Sequence, residues 1–211
     1  VENLTYTGAY NFTGIGNDLD NVITGGVGDD TLIGGAGADT LVGGDGEDTA
    51  SYRTATSAVT INTKTGVHTG DAEGDTYDGI EIIQGGSYND TFVSGADADS
   101  FDGYYGTDTV DYSGSDAAVT VDMTGGTSSG GDAEGDTLTN IETVVGSAYD
   151  DTYIVSSTST SIVEEADGGI DEVRTSAATY AGLADNVENL TYTGAYNFTG
   201  IGNDLDNVIT G

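Results

Sequence analysis

GGVGDDTLI, GGAGADTLV and GGDGEDTAS follow one another without a break at residues 25–51. Gly, Gly, any residue, Gly, any residue, Asp, any residue and then an apolar residue recur in register. The first six positions of each nonapeptide read as a glycine-rich turn ending in a carboxylate. The last three read as a minimal strand with one apolar residue to bury. Glycines suit such a turn because its backbone angles are ones a Cβ would forbid. They also leave carbonyl oxygens bare beside the Asp. Several oxygen donors per site, with no nitrogen or sulfur, describe calcium rather than zinc or copper.

Composition points the same way. Against 37 acidic residues stand three basic ones, Arg53, Lys64 and Arg174, giving a net charge of −34 over 211 residues. Three ion pairs cannot neutralise that charge, so a compact chain must crowd carboxylates together against their repulsion. Either the chain stays disordered or inorganic cations offset the charge. The same balance argues against nucleic acid and anionic membranes as partners. No stretch has the length of a transmembrane helix, so no membrane insertion is expected. The chain has no Cys, which excludes a disulfide scaffold and a thiolate metal site. An extracellular home stays open, because metal can take the place of disulfides.

Working outward, residues 16–24 (GNDLDNVIT) are in phase with the triple repeat, with Asn21 where Asp would stand. Residues 85–93 (GGSYNDTFV), 94–102 (SGADADSFD) and 103–111 (GYYGTDTVD) restore the nine-residue phase, and 146–154 (GSAYDDTYI) does so again. Asp90, Asp99, Asp108 and Asp151 then hold the sixth position, although the turn before Asp99 lacks two of the glycines. Asp171 follows Gly168 and Gly169 in a similar way. Residues 52–84 and 112–145 form a second kind of unit. SY, VTIN and GDAEGDT at 51–52, 59–62 and 70–76 return as DY, VTVD and GDAEGDT at 111–112, 119–122 and 131–137. VTIN and IEII (80–83) read as strands. Each GDAEGDT loop alternates acids, Asp71, Glu73, Asp75 and Asp132, Glu134, Asp136, as the opening of a calcium loop does. A solvated acidic turn is the other reading of those loops.

Residues 1–25 recur unchanged as 187–211. The chain is therefore one period of 186 residues followed by the start of the next, and reads as an internal fragment of a long tandem array.

The nonapeptides resemble those of the RTX (repeats-in-toxin) family of secreted bacterial proteins. That resemblance implies an all-β fold, a parallel β-roll or β-helix solenoid with calcium bound in glycine-rich turns. It implies several calcium ions, held between stacked turns by Asp30, Asp39, Asp48, Asp90, Asp99, Asp108, Asp151 and Asp171. The carbonyls of Gly26, Gly28, Gly35, Gly37, Gly44 and Gly46 would complete the sites in the triple repeat. Asp71, Asp75, Asp132 and Asp136 are the further candidates. It also implies an extracellular or cell-surface location reached by type I secretion.

Two nonapeptides make one coil, so Asp30 should face the turn of Asp48, and Asn21 the turn of Asp39. Leu32, Leu41 and Val110 should point into a narrow core. Three functional classes fit this chain. The first is a calcium-stiffened structural repeat of an adhesin stalk, S-layer or filament, whose partners are neighbouring repeats and other copies. The second is a polysaccharide-binding module presenting some of the thirteen tyrosines. The third, a carboxylate glycosidase, lacks any acid in an evident apolar setting, and no catalytic residue is expected. His68 has no second His or Cys for a zinc site. TGIGND (13–18) is similar to the turn of ice-binding RTX repeats, but occurs once per period where a ladder is required.

Overall fold

The computed structural model describes residues 1–166 and 168–211. Among the described residues all regular structure is β apart from two three-residue 3-10 turns, Gly70–Ala72 and Gly131–Ala133. Every named strand pairing is parallel, and most strands are three residues long. The chain divides into two compact units, residues 1–93 with 99–108, and residues 94–98 with 109–211.

In the first unit, Asn3–Thr5, Val22–Val27, Thr40–Asp45 and Thr76–Asp78 stack as one parallel sheet. Thr13–Ile15, Thr31–Ile33, Thr49–Ser51, Ile82–Gln84 and Ser100–Asp102 stack as another. The pairings Val22↔Thr40, Thr13↔Thr31 and Thr31↔Thr49 set the register of the triple repeat. Two nonapeptides therefore close one coil. Side chains alternate along a strand, so a three-residue strand sends only its middle one inward. Ile23, Leu32, Leu41 and Ala50 fill that place with no exposure and form one cluster, joined by Leu4, Phe12, Tyr77 and Ile80. After Ser51 the nine-residue phase stops. Leu41 is followed in its stack by Tyr77 and Ala50 by Ile83, while Thr60–Asn62 within the intervening segment pairs with Thr91–Val93.

In the second unit, Thr120–Asp122, Thr152–Val155, Glu172–Thr175, Asn189–Tyr192 and Val208–Thr210 form a five-stranded parallel sheet. Val121, Tyr153, Val173 and Leu190 are its fully buried middle residues. Thr109–Asp111, Thr143–Val145 and Ser161–Val163 stack in another row. One buried side chain per strand contributes about 1.5–3 kcal/mol. Ordering each residue costs roughly 1–2 kcal/mol. The core is thin in both units.

Both internal repeats seen in the sequence fold alike. Tyr52 Oη donates to Asp75 Oδ2 at 2.7 Å, and Tyr112 Oη to Asp136 Oδ2 at 2.9 Å. The 25-residue duplicate behaves the same way. Asn3↔Val22 and Leu4↔Ile23 return as Asn189↔Val208 and Leu190↔Ile209. Tyr6 stacks on Phe12 at 4.6 Å, and Tyr192 on Phe198 at 4.6 Å.

Candidate metal centre

The Asp of each nonapeptide sits immediately before its strand, and the stacking of strands lines these acids up. Asp30 N donates to Asp48 Oδ1 at 2.7 Å, Phe12 N to Asp30 Oδ1 at 2.7 Å, and Asp48 N to Glu81 Oε2 at 2.8 Å. On the opposite edge Asn21 N donates to Asp39 Oδ1 at 2.8 Å, and Asp39 N to Asp75 Oδ1 at 2.7 Å. Thus Asp30 faces Asp48 and Asn21 faces Asp39, as the eighteen-residue coil requires. Val59, Asp90 and Asp108 continue the pattern through Val59 N to Asp90 Oδ1 and Asp90 N to Asp108 Oδ1. In the second unit the chain of donors runs from Val119 to Asp151, from Asp151 to Asp171, and from Asp171 to Glu188.

Only one oxygen of each acid is used in this way. Asp30, Asp39 and Asp48 are 1% exposed or less, yet their Oδ2 atoms have no hydrogen-bond partner. An unpartnered buried carboxylate oxygen is costly, and several in a row demand a positive partner. Carbonyl oxygens lie beside two of these carboxylates, since a Cβ on Gly25 would meet both Asp30 Oδ2 and the Gly43 carbonyl oxygen, and one on Gly43 both Asp48 Oδ2 and the Gly79 carbonyl oxygen. Gly44 and Gly46 have φ of 118° and 143°, and a Cβ there would meet the Gly26 and Gly28 carbonyl oxygens at 2.2 and 2.4 Å. Gly26, Gly28, Gly35 and Gly37 share the positive φ. Free carboxylate oxygens with bare carbonyls and neither nitrogen nor sulfur fit a calcium ion. Asp30 and Asp48 on one edge, and Asp39 on the other, would each hold such an ion with glycine carbonyls of the stacked turns.

The remaining predicted acids fall into distinct settings. Asp90 has both oxygens bonded, the second by Gly86 N at 2.5 Å. Asp151 likewise accepts from Val119 N and from Ser147 N at 2.6 Å. Asp108 is buried in line with Asp90, whereas Asp99 is half-buried and accepts from Thr63 Oγ1 at 2.7 Å. The acids of each GDAEGDT loop lie in different settings. Asp75 enters the Asp39 ladder and is buried, while Asp71 stays half-buried with its Oδ2 taking the Thr56 N–H at 3.3 Å, and Glu73 is exposed. Asp136 is fully buried under Tyr112 and Ser94 Oγ, and Asp132 is held through its N–H by Ser115 Oγ.

Glu81 and Glu188 take ladder positions that the nine-residue pattern does not single out. Glu81 lies inside IEII, read as strand 80–83, but the strand is Ile82–Gln84 and Glu81 is the acid before it. His68 is 5% exposed, and its Nδ1 accepts from Asn62 N at 3.0 Å. Ser128 Oγ does the same for Asp122 N in the other copy, so this histidine is a structural acceptor. Tyr52, Tyr112 and Tyr153 are buried partners of acids, while Tyr88, Tyr105 and Tyr149 are exposed.

Burial raises the affinity of these acids for protons. Asp39, Asp48, Asp90 and Asp151 are all shifted up, chiefly by desolvation. Desolvation pushes Asp75 up to about 6, Asp171 to about 7 and Glu164 to about 8, with neighbouring carboxylates adding to it. A raised folded-state value means that the folded chain holds more protons than the unfolded one. The associated stability is complete below the ordinary carboxylate range and is lost as pH rises through about 6 to 8. Without calcium, the chain is therefore expected to keep more β structure at pH 4.5 than at pH 8 by far-UV circular dichroism. More β structure at pH 8 would contradict the burial of these acids.

Residues 15–50 and 75–114 match the RTX calcium-binding nonapeptide repeat, in four copies. No curated protein matches the chain. Over these segments the chain carries RTX calcium-binding repeats, and Asp30, Asp39, Asp48, Asp75, Glu81, Asp90, Asp99 and Asp108 lie within them. No helix among the described residues is long and apolar enough to cross a membrane.

Proposed function

We propose that this chain, with its RTX calcium-binding repeats, is one period of a calcium-stiffened structural array in a secreted or cell-surface protein. Such an array serves as an adhesin stalk, an S-layer or a filament, and leaves the cell by type I secretion. The observation that carries this reading is the row of buried carboxylate oxygens without partners, Asp30, Asp39 and Asp48. Each lies in a turn stacked on another turn, so an ion bound there joins successive coils rather than decorating a surface. Calcium supplies positive charge to a chain that has only three basic residues of its own.

Asp39 tests the calcium part of the reading. Its Oδ1 ties the Asn21 turn, its N–H ties the Asp75 turn, and its Oδ2 is the free ligand. Asp39→Ala is expected to lower calcium stoichiometry and to cost at least the ~1.5–3 kcal/mol of a hydrogen bond to a charged group. Asp71→Ala, at a half-buried site with one 3.3 Å contact, is expected to leave the stoichiometry unchanged. Titration calorimetry and thermal midpoints in calcium measure both. Equal losses from the two substitutions would overturn the assignment.

A further inference from the structure

We propose that Asp151, Glu164 and Asp171 form a hard-cation site of their own in the second unit, outside the matched repeats, with calcium as its ion. It rests on the reading that the chain folds around calcium, and adds a ligand type that the nonapeptide lacks. One carboxylate oxygen from each residue lies within 4.8 Å of the other two. That separation is what oxygens about 2.4 Å from a shared calcium ion span. The three residues are 1%, 7% and 0% exposed. Glu164 Oε2 and Asp171 Oδ2 have no hydrogen-bond partner.

The strand register explains how a glutamate arrives there. Val163 pairs with Val145, so Glu164 occupies the place of Gly146, the first glycine of a nonapeptide. In the triple repeat that place is Gly25, Gly34 or Gly43, and a Cβ on any of them would lie 2.0–2.4 Å from the Asp Oδ2 of its own repeat. At Gly25 and Gly43 the same Cβ would also meet a backbone carbonyl oxygen, that of Gly43 or of Gly79. In the second unit the chain inserts a carboxylate instead. Gly146 leaves room for it, since a Cβ there would meet Glu164 Oε1 at 2.3 Å. Tyr153 Oη donates to Glu164 Oε1, and Asn186 Nδ2 holds the Glu164 carbonyl at 2.9 Å. Asp171 is positioned by Asp151 N on its Oδ1 at 2.7 Å and by its own N–H on Glu188 Oε2 at 2.9 Å. Both Glu164 and Asp171 thus aim a free oxygen inward while their other contacts fix them. Arg174, the nearest base in sequence to Asp171, is engaged with Glu172 at 2.7 Å.

The alternative is a shared proton in place of the ion, and Glu164→Gln separates the two by sign. With an ion present, E164Q removes a ligand, binds one calcium fewer per chain and melts lower in calcium. With only a proton, E164Q relieves buried acids, keeps the calcium count and melts no lower. Equilibrium dialysis with metal analysis and thermal melts of wild type and E164Q read both quantities. A wild type that binds no calcium overturns the proposed function along with this site. A wild type that binds several ions, with an equal count in E164Q, overturns this site alone. Should E164Q fail to fold, anomalous diffraction from wild-type crystals grown in calcium decides. A calcium peak on Glu164 Oε2 and Asp171 Oδ2 upholds the site, and no peak there overturns it.

Discussion

Exhaustive chelation is expected to leave the chain expanded and largely without β structure, and millimolar calcium to restore a compact β-rich state. Three basic residues face 37 acidic ones, and the fold buries a row of those acids with free oxygens. Without cations each such oxygen adds desolvation and repulsion to a core of one side chain per strand. Calcium reverses the sign of that contribution. An ion that binds only the folded state stabilises it by about 2.7 kcal/mol when present at a hundred times its dissociation constant. A few such sites match the roughly 5–15 kcal/mol that separates a typical folded domain from its unfolded chain. Far-UV circular dichroism before and after chelation measures the change. A native β signal that survives chelation at neutral pH would defeat the idea.

The triple repeat shows how much of this was legible. Its perfect nine-residue period sets the eighteen-residue coil, and with it the facing pairs Asp30–Asp48 and Asn21–Asp39. The inward places of Leu32, Leu41 and Val110 follow from the same period. Legibility ends where the period does. Asp75 stacks on Asp39 only because residues between Ser51 and Thr76 leave the coil and return, and no local pattern measures that excursion. The identical heptapeptides around Asp75 and Asp132 looked like single loops. Their acids separate because a 3-10 turn at Gly70–Ala72 or Gly131–Ala133 divides each one. Glu81 and Glu188 fall outside the nine-residue pattern because neither has its opening pair of glycines, Glu81 having only Gly79 two residues before it, although each stands directly before a strand. That position, acid before strand, is the physical signal; the glycines accompany it only where the turn is tight. Glu164 could be recognised only from strand register, since it replaces a glycine.

Tandem periods are expected to form a stiff rod in calcium that lengthens by a fixed increment per copy. The 25-residue duplicate gives the reason. In its second occurrence, Asn189–Tyr192 lies against Glu172–Thr175, with Val173 opposite Leu190, and Leu190 and Val187 are fully buried. In its first occurrence the same sequence has Leu4 half-buried and Val1 91% exposed. The strand that would cover Leu4 is the Glu172–Thr175 of a preceding period, and Glu2 would take the Asp171 N–H as Glu188 does. A junction built this way is a continued sheet rather than a tether. The chain has no Pro, and no Ser/Gly-rich linker separates Thr175 from Asn189. At about 18 residues per coil and a strand spacing of ~4.8 Å, one period rises by at most about 50 Å, less for segments that leave the coil. Small-angle scattering of proteins with two and four periods in calcium measures the maximum dimension. Linear growth with copy number is the expected result. Growth with the square root of copy number would mean periods joined by flexible tethers, and the stalk, lattice and filament readings would all lose their basis.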